Sequence, residues 1–585
     1  MLETRKTKII CTLGPATGNP DALREMIKAG MNVARLNFSH GDHEGHKKLA
    51  DMVKSVRSEL GTPTALLLDT KGPEIRLGVF DSPVTLEKDH EFRLTFDDSV
   101  GDIDHASVTY KNLWRDISVG GRILIDDGLV ELKVTETNEK GIACRVVSGG
   151  TISSRKGVNV PGVKLSIPFL SERDRSDILF GIEQDFDFIA ASFTQCAADI
   201  ESIRALLEKN GGSDIRIIAK IENAAGVENI DEIIKVSDAI MVARGDMGVE
   251  IPMEEIPIIQ KRLISKAYSA GKPAITATQM LESMTHHPRP TRAEITDVAN
   301  AIYDGTSAIM LSGETAAGEY PVESVRTMAL IATRTERDIN YIERFRQNQL
   351  AGFSNVTTAI SHAACTTAHD LGANAIITVT KSGLTARMMS RFRPVTPIIG
   401  CSPSEKVCRQ LSLSWGVTPM QIEVKTTSDA LFEHAIAVAA ENGYVDYGDL
   451  AVITAGIPLG VSGTTNILKV QIVGDVLTSG TGISSGDCEP VCVILCVCRD
   501  EEEARQRFKP GDILVIPATS NRIIDLLRHA GGIICEIDGE DSHAAIVGQA
   551  LGIPVIVGAH GATKILKSGT AVTIDAKRGM VYCTK

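Results

Sequence analysis

Short apolar runs recur along the first half of the chain, and each of them ends beside a polar, chemically useful group. Most runs are rich in Ile, Val, Leu and Ala without strict alternation, which is typical of strands buried on both faces. Helical patterns separate most of them, so they predict a parallel sheet with right-handed crossovers. The eight runs are Lys8–Thr12, Asn32–Leu36, Ala65–Leu68, Phe188–Ala191, Ile215–Ala219, Ala239–Ala243, Pro273–Ala277 and Ala308–Leu311. Eight such units predict an α/β fold with a closed (β/α)8 barrel.

The ends of these predicted strands carry the candidate chemistry. Active sites of (β/α)8 barrels lie at the carboxyl ends of the strands, where the connecting loops meet. Most of those ends carry a carboxylate, a cation or a hydroxyl, which a purely structural core does not require. The segments concerned are Arg35–His40, Asp69–Arg76, Lys220–Asn223, Arg244–Asp246, Thr278–Gln279 and Ser312–Thr315. We therefore expect an active site at this face of the barrel.

The pattern changes several times along the chain, and each change suggests a domain boundary. The helical pattern stops after the third run, and hairpins around a tight Asp127-Gly128 turn predict an inserted β-barrel lid over the barrel mouth. Helix and strand patterns later predict two further α/β domains, joined by a Gly- and Ser-rich stretch, Thr478–Asp487, typical of a linker. The expected domains are the barrel at 1–71 and 168–345, the lid at 72–167, an α/β domain at 346–474 and a C-terminal α/β domain at 475–585.

Length and charge narrow the class of protein. At 585 residues the chain is too long for a single core. Its net charge of −13 argues against nucleic-acid binding, and anionic substrates would need a local cluster of cations. No apolar stretch approaches the roughly 20 residues that cross a bilayer. The start, Met1–Lys8, lacks a secretory signal. We therefore expect a cytoplasmic protein with no membrane segment.

A lysine and two carboxylates form the first candidate group. Lys220 and Glu222 flank Ile221 at the end of the fifth run, so their side chains project to the same side, and Asp246 follows the sixth run. Two carboxylates from neighbouring strands suit Mg²⁺, with open positions for substrate oxygens and water. The lysine is suited to stabilising charge that develops on a substrate. A buried Lys–Glu ion pair is the structural alternative, although such pairs are costly.

Phosphate-binding groups lie at the same strand ends. Gly245 lets backbone N–H groups turn inward at the start of a helix, and Thr278 adds a hydroxyl beside them. Arg35 and Arg76 are planar cations suited to phosphate oxygens. These residues supply the local cations that an acidic protein needs, so they predict anionic, phosphorylated substrates.

A second oxygen-rich group follows the second and third runs. It contains one carboxylate, Asp69, with Asn37, Ser39 and Thr70, which suits a monovalent cation better than a second divalent one. Spacing alone leaves the presence of such a site open. His40 lies in a turn of the same region, where a histidine more often fixes the loop than takes part in catalysis.

These segments resemble the pyruvate kinase family, whose motifs occur here in the family's order across the barrel and the lid. The matching motifs are Asn32–Gly41, Asp69–Arg76, Lys156–Gly162, Lys220–Asn223, Ala243–Gly248, Ala277–Met284, Pro288–Glu294 and Leu311–Ala316. The resemblance implies a (β/α)8 barrel with a lid and a regulatory α/β domain. It also implies transfer of a phosphoryl group from phosphoenolpyruvate to ADP, giving pyruvate and ATP as the last step of glycolysis. A homotetramer under allosteric control is implied in the same way.

The resemblance also assigns roles to individual residues. Lys220 matches the catalytic lysine, and Thr278 and Ser312 match positions near the enolate face. The Mg²⁺ (or Mn²⁺) ligands would be Glu222 and Asp246, and the K⁺ ligands Asn37, Ser39, Asp69 and Thr70. Glu74 marks members of the family that tend to need K⁺. Substrate contacts would come from Arg35, Lys220, Gly245, Asp246 and Thr278, and ADP or ATP contacts from Arg35, Asn37, Arg76 and Lys156.

The loop Thr380–Thr385 is the candidate effector site. It lies between a predicted strand and a predicted helix, with hydroxyls at Ser382 and Thr385 and free backbone donors suited to phosphate. An ordinary helix cap is the structural alternative. The resemblance implies that this loop binds a phosphorylated small-molecule effector, a sugar phosphate or a nucleotide.

The C-terminal domain resembles the swivelling phosphohistidine domain of phosphoenolpyruvate-utilising enzymes, over Asp541–Gly558. Glu540 and Asp541 precede His543, and two carboxylates would repel a phosphoryl group there. We therefore expect a structural or regulatory role for this domain. Two other functions stay open: a phosphohistidine-dependent dikinase or synthase that uses His543, and a degenerate barrel kept as a scaffold.

Overall fold

The computed structural model describes residues 5–163, 165–347, 355–457, 465–474, 476–483 and 491–583. They form two units, which we describe separately. The barrel unit contains residues 5–362 and 380–421, and the terminal unit contains residues 363–379 and 422–583. No helix in the described ranges is both long enough and apolar enough to span a bilayer.

The chain begins with three buried strands and the two helices between them. Asn19 caps the first helix through Ala22 N, Asp42 caps the second through Gly45 N, and Gly61, with φ +62°, ends it in the left-handed conformation. The elements are β1 Lys8–Thr12, α1 Pro20–Ala29, β2 Val33–Asn37, α2 His43–Leu60 and β3 Ala65–Asp69.

A β-rich insertion follows β3. Its strands are β4 Ile75–Arg76, β5 Val84–Leu86, β6 Glu91–Thr95, β7 His105–Ser107, β8 Arg122–Ile125, β9 Val130–Asn138, β10 Gly141–Ser148, β11 Gly150–Ile152 and β12 Gly157–Asn159, with one short helix, α3 Leu113–Asp116. They form a seven-stranded sheet in the order β4-β12-β8-β9-β10-β6-β7 and a separate pair of β11 with β5. Alternate residues of β9, Val130, Leu132 and Val134, enter the insertion's own core, as the alternating sequence pattern predicts.

The second part of the barrel adds five strands and ten helices. They are α4 Glu172–Glu183, β13 Phe188–Ala191, α5 Ala197–Lys209, β14 Arg216–Ile221, α6 Ala224–Glu228, α7 Ile230–Val236, β15 Ala239–Ala243, α8 Arg244–Glu250, α9 Ile256–Ser269, β16 Ala274–Ala277, α10 Arg292–Tyr303, β17 Ala308–Leu311, α11 Gly313–Ala316, α12 Pro321–Asp338 and α13 Tyr341–Gln347. At the end of the barrel, α12 and α13 are separated by Ile339-Asn340.

Eight parallel strands close the barrel in the order β1-β17-β16-β15-β14-β13-β3-β2, which confirms the predicted fold class. All eight runs predicted as strands form strands, with ends within two residues of the expected ones. Side chains alternate between two cores, since Ile10 lies in the inner cluster while Ile9 and Cys11 lie in the cluster beneath the helices. This double burial explains why the runs are continuously apolar.

The chain then alternates between helices and strands: α14 Val356–Asp370, β18 Ala375–Val379, α15 Leu384–Arg391, β19 Ile398–Ser402, α16 Glu405–Leu411, β20 Val417–Gln421, α17 Ser428–Glu441, β21 Leu450–Gly456 and β22 Thr465–Ile472. In the barrel unit, β19 and β20 pair in parallel. Arg409 of α16 joins this segment to the barrel through Asp187 at 2.8 Å and Asp185 at 2.7 Å. In the terminal unit, β18 pairs in parallel with β21, which pairs antiparallel with β22.

The last domain is an eight-stranded sheet with four short helices. Its elements are β23 Val476–Ser479, β24 Thr481–Ile483, β25 Val491–Val497, α18 Glu501–Arg507, β26 Ile513–Ile516, α19 Ile524–Leu527, β27 Gly532–Cys535, α20 His543–Leu551, β28 Val555–Val557, α21 Ala562–Ile565, β29 Ala571–Asp575 and β30 Met580–Cys583. The strand order is β23-β30-β29-β25-β26-β27-β28-β24.

The prediction of a linker over Thr478–Asp487 is wrong for its described part. Residues up to Ile483 belong to β23 and β24, which pair with β30 and β28, while 484–487 lie outside the described residues. The glycines serve close packing here, because a Cβ on Gly482 would lie 1.8 Å from the Ala576 carbonyl oxygen, and one on Gly480 would lie 2.3 Å from that of Val557. A Gly- and Ser-rich composition, which is typical of flexible linkers, thus occurs here in ordered strands at the edge of a sheet.

Candidate active site

A buried ammonium group is the centre of the site. Lys220 lies in β14, and its Nζ is 2.9 Å from Glu222 Oε1, 3.1 Å from Asp69 Oδ1 and 2.8 Å from Ser192 Oγ. A lysine has three N–H groups, so all three have acceptors in this structure. Two of the acceptors are carboxylates that are 1% exposed. The predicted Lys220–Glu222 pair is thus part of a larger network.

The electrostatics of this network favour a charged lysine. Burial alone would lower the pKa of Lys220, but Asp69 and Glu222 outweigh it and raise the pKa above its ordinary value. Burial would likewise raise the pKa of Asp69, but Arg35 and Lys220 outweigh it and lower it. Burial raises the pKa of Glu222 to about 7, opposed by Lys220 and reinforced by Asp246 and Asp69.

The carboxylates Glu222 and Asp246 fit a divalent cation. Burial makes an ionised Glu222 costly, and Asp246 adds a second negative charge that affects its pKa. The cations Arg35 and Lys220 pair with the carboxylates of Asp69 and Glu222, and Asp246 adds a third negative charge to this group. Among the described residues no group of three or more His, Cys, Asp or Glu is arranged to hold a metal. A cation at this pair would therefore complete its shell with substrate or water oxygens.

The Thr278 backbone is strained. Thr278 has φ +67° and Gln279 φ +53°, although a β-branched residue rarely adopts positive φ. Arg244 holds this turn, since its Nη2 donates to the Thr278 carbonyl at 2.7 Å and its Nη1 donates to Asp297 at 2.7 Å. The Thr278 hydroxyl accepts a hydrogen bond from Gly245 N at 2.8 Å and donates to the Ala277 carbonyl at 2.6 Å. The structure thus brings Thr278 and Gly245 together, as predicted.

Ser312 follows the eighth strand and is held by a buried glutamate. The Ser312 N–H donates to Glu314 Oε2 at 2.7 Å, and the Leu281 N–H donates to Glu314 Oε1 at 3.0 Å. The pKa of Glu314 is raised above its ordinary value, because the effect of burial exceeds the opposing effect of these backbone donors. Glu314 therefore ties the loop of Ser312 to the loop after Thr278.

The oxygen-rich group lies at the ends of β2 and β3, where Asn37 and Asp69 are register partners. Asn37 Oδ1 accepts from the Ser39 N–H at 3.1 Å, and Asp69 Oδ2 accepts from Arg35 Nε at 2.6 Å. The Thr70 hydroxyl donates to the Ala190 carbonyl at 3.2 Å, so it faces β13. Asn37 and Asp69 are thus neighbours at the strand ends, and the Thr70 hydroxyl is directed toward the neighbouring strand.

A cleft of 740 Å³ lies between the insertion and the barrel. Asp246 lines it, together with Arg76 and Lys156 from the insertion. Arg76 pairs with Glu74 at 2.8 Å and Lys156 with Asp126 at 2.9 Å, so both cations are tethered beside the cleft. The volume suits a ligand of nucleotide size.

Three residues considered from the sequence, His40, Ser382 and Thr385, belong to other surroundings. His40 supplies a backbone carbonyl that accepts from His46 Nε2 at 2.8 Å, consistent with a role in fixing the loop. On the loop before α15, Ser382 provides a carbonyl to Arg387 Nη1 at 3.2 Å, and the Thr385 side chain is buried. Gly383 precedes α15 with φ +76° and makes no side-chain capping bond, so the ordinary helix cap considered from the sequence is not formed here.

His543 lies at the start of α20 in the terminal unit. Its Nδ1 is 2.9 Å from Thr519 Oγ1 and its Nε2 is 3.0 Å from Asn521 Oδ1. Both partners are neutral. The ring is thus held by neutral groups, although Glu540 and Asp541 precede it in the sequence.

Ser192 and Asp297 are not among the residues predicted from the sequence. Ser192 directly follows β13, the fourth barrel strand. Because active-site residues lie at the carboxyl ends of barrel strands, its position is the signal that could have identified it. Asp297 lies within α10 and reaches the site only through Arg244. No local sequence signal distinguishes it from an exposed helix carboxylate.

The closed barrel, the buried lysine and the paired carboxylates at its mouth define a phosphotransferase of the (β/α)8 class. Three family models match the chain: the pyruvate kinase barrel domain over residues 4–325, the pyruvate kinase alpha/beta domain over 358–471, and the mobile domain of PEP-utilising enzymes over 508–579. The chain belongs to the pyruvate kinase family, EC 2.7.1.40.

Named pyruvate kinases align with this chain over nearly its full length. A pyruvate kinase of Geobacillus stearothermophilus is 48% identical over 581 residues, which cover 99% of this chain and 98% of the relative. A pyruvate kinase of Lactobacillus delbrueckii subsp. bulgaricus is 45% identical over 585 residues and 99% of both chains. The crystal structure of a pyruvate kinase from Cryptosporidium parvum superposes with a TM-score of 0.77 at 40% identity, covering 80% of this chain and 96% of that one.

Proposed function

We propose that this chain transfers the phosphoryl group of phosphoenolpyruvate to ADP, giving pyruvate and ATP as the last step of glycolysis in the cytoplasm. The observation that carries the proposal is the Lys220 ammonium, buried between Glu222 and Asp69 at the mouth of a closed barrel. A fixed positive charge in a water-poor site stabilises the charge that develops on the phosphoryl group and on the enolate oxygen.

Glu222 and Asp246 would hold Mg²⁺ or Mn²⁺. When bound, this ion supplies positive charge that neutralises phosphoryl and carboxylate oxygens. Lys220 acts beside it, and Gly245 supplies a backbone N–H group at the start of α8. A Cβ on Gly245 would make only ordinary contacts of 3.5–3.8 Å with Thr278, so packing within the protein does not require glycine there. A close approach of substrate would explain the glycine better.

Thr278 and Ser312 are assigned to the face where the enolate receives its proton. The positive φ of Thr278 holds its hydroxyl against Gly245, and Arg244 fixes the turn. Strain of this kind persists only where the surroundings determine the conformation, and it clusters at active sites. Thr278 would therefore position the proton donor for the methylene carbon.

The remaining ligands follow from the two flanks of the site. K⁺ would be held by oxygens from Asn37, Ser39, Asp69 and Thr70. Glu74 would make the activity depend on this ion, because a carboxylate supplies no positive charge in its place. ADP would lie in the cleft, contacted by Arg35, Asn37, Arg76 and Lys156. Arg35 would have to share its contact with Asp69 to reach a phosphate.

We assign the chain the domain boundaries predicted from its sequence, and β23 at Val476 begins the sheet of the C-terminal domain. The loop with Ser382 and Thr385 would bind a phosphorylated effector, and the active form would be a homotetramer. The C-terminal domain would be structural or regulatory. In the part of the chain that the structure describes, the His543 ring bonds to the neutral side chains of Thr519 and Asn521, which does not favour a dikinase.

A coupled assay that measures pyruvate from phosphoenolpyruvate and ADP, with and without K⁺, tests the function. Lys220→Ala should lower kcat by about 10²–10³-fold or more while the protein stays folded, because it removes a charge used mainly in the transition state. Lys209→Ala, an exposed lysine at the end of α5, is the matched control and should keep wild-type turnover. Near-normal turnover of Lys220→Ala would show that the mechanism is wrong.

A further inference from the structure

Ser192 connects the two halves of the site. It follows β13 and is 2% exposed, between the Asp69–Thr70 segment and Lys220. Its hydroxyl accepts from Lys220 Nζ at 2.8 Å, and it lies 2.7 Å from the Thr70 carbonyl and 3.1 Å from Asp69 Oδ1, both possible acceptors of its single proton. Its own N–H donates to the Thr70 hydroxyl at 3.1 Å. Ser192 therefore contacts Asp69 and Thr70 on one side and Lys220 on the other.

The donors of Lys220 explain why this contact matters. Its three acceptors are Glu222, Asp69 and Ser192, so none of its N–H groups is available to a substrate in this arrangement. If Glu222 bound a divalent cation, one N–H group of Lys220 would lose its acceptor and could donate to a substrate. The other two N–H groups would still donate to Asp69 and Ser192, and these two bonds would fix the direction of the third.

We infer that Ser192 is a positioning residue that couples the monovalent-cation side of the site, at Asp69 and Thr70, to the orientation of Lys220. This inference rests on the proposed function. A change in the position of Asp69 or Thr70 reaches Lys220 through the Ser192 hydroxyl, which is bonded to both sides. Packing keeps the serine in place, since a Cβ on the adjacent Gly72 would lie 2.9 Å from Ser192 Cβ.

Ser192→Ala tests the inference, with Thr194→Ala as the matched control. Thr194 is a buried hydroxyl two residues later, and it donates only to the Ala191 carbonyl of its own turn, at 2.9 Å. Ser192→Ala should lower kcat by about 10–100-fold with a smaller change in the KM for phosphoenolpyruvate, because outer partners of a site typically contribute that much. Ser192→Cys, which keeps a weak donor at similar volume, should lie between Ser192→Ala and the wild type.

A second readout uses K⁺ without turnover. In the absence of Mg²⁺ and substrates, KCl should raise the Tm of the wild type relative to tetramethylammonium chloride, since an ion that binds the folded state stabilises it. The rise should shrink in Ser192→Ala and persist in Thr194→Ala. The K⁺ concentration for half-maximal activity should rise at least several-fold in Ser192→Ala alone.

The outcomes separate this inference from the proposed function. If the wild type makes no pyruvate from phosphoenolpyruvate and ADP, the proposed function fails. If the wild type is active and Ser192→Ala matches Thr194→Ala in kcat and in the K⁺-induced change of Tm, the inference fails alone. Should Ser192→Ala not fold, Ser192→Cys decides the matter, because wild-type kcat and K⁺ response in that variant would overturn the coupling.

Discussion

Lys220 at the end of β14 and His543 at the start of α20 are both ionisable side chains, but the groups that surround them differ. Lys220 is buried and surrounded by two carboxylates and a hydroxyl. His543 is half-buried and bonded to the neutral side chains of Thr519 and Asn521. Low dielectric and fixed opposite charge make the first site able to stabilise a developing charge, whereas both hydrogen-bond partners of the His543 ring are neutral.

The two regions also differ in backbone strain. The barrel site holds Thr278 and Gln279 in the left-handed region, and Arg244 fixes that turn. At His543, α20 begins with an ordinary cap, in which the Ser542 hydroxyl accepts from the Ala545 N–H. Strain at Thr278 therefore marks the barrel site as a candidate for organised chemistry, whereas the backbone at the start of α20 gives no such sign in the described residues.

The largest effect should come from the carboxylate pair. Asp246→Asn should lower activity by about 10²–10³-fold and raise the Mg²⁺ concentration for half-maximal rate, because a neutral amide binds a divalent cation weakly. Asp297→Asn removes a carboxylate from the same barrel face that contacts Arg244 rather than the metal, so it should leave the Mg²⁺ requirement unchanged. Mg²⁺ titration of initial rates measures both. An unaltered Mg²⁺ dependence in Asp246→Asn would separate this carboxylate from the metal.

The proposed K⁺ site gives a second test of the barrel mouth. Glu74→Lys should make activity largely independent of K⁺, since a tethered ammonium would replace the ion's charge beside Asp69 and Asn37. Glu74 now accepts from Arg76 at 2.8 Å, so Glu74→Gln is the control that loses the charge without adding a cation. Rates in K⁺-free and Na⁺-free Tris buffer give the result. Full activity of the wild type in that buffer would contradict the proposed cation site.

A smaller effect is expected on the loop before α15. The double variant Ser382→Ala, Thr385→Ala should reduce activation by phosphorylated effectors several-fold and leave the Mg²⁺ dependence unchanged, because the loop acts on the barrel through a coupling free energy. Activation by ribose 5-phosphate and by AMP, each titrated at low phosphoenolpyruvate, measures the coupling. An unchanged response to both would place the effector site elsewhere.

The smallest effect should come from the terminal domain. His543→Ala should convert phosphoenolpyruvate and ADP at the wild-type rate, and an acid-labile phosphate on His543 during turnover would contradict this comparison. Removal of the domain should be made after Gly474 rather than near Gly480, because β23 already belongs to its sheet. This truncation should keep catalysis but lower the Tm by a few degrees, since Tyr582 packs on Gly448 and Arg578 bonds its carbonyl.

The sequence by itself determined the barrel and most of its chemistry. Short, continuously apolar runs separated by helical patterns indicate strands buried on both faces, and the positions after them must meet at one face once the barrel closes. That rule is enough to place Lys220, Glu222, Asp246 and Thr278 together. It depends on the pattern of apolar positions alone, which is a local property of the chain.

Tertiary structure alone decided how those groups are held. Ser192 contacts Lys220 and Thr70 across strands that are 28 and 122 residues distant in sequence, and such a contact has no local signal. The positive φ of Thr278 opposes the intrinsic preference of a β-branched residue, so only Arg244 and its neighbours impose it. The glycine-rich stretch before Ile483 forms a sheet edge, and its glycines are needed because neighbouring backbone lies too close for a side chain. Those neighbours are distant in sequence, so local composition cannot reveal them.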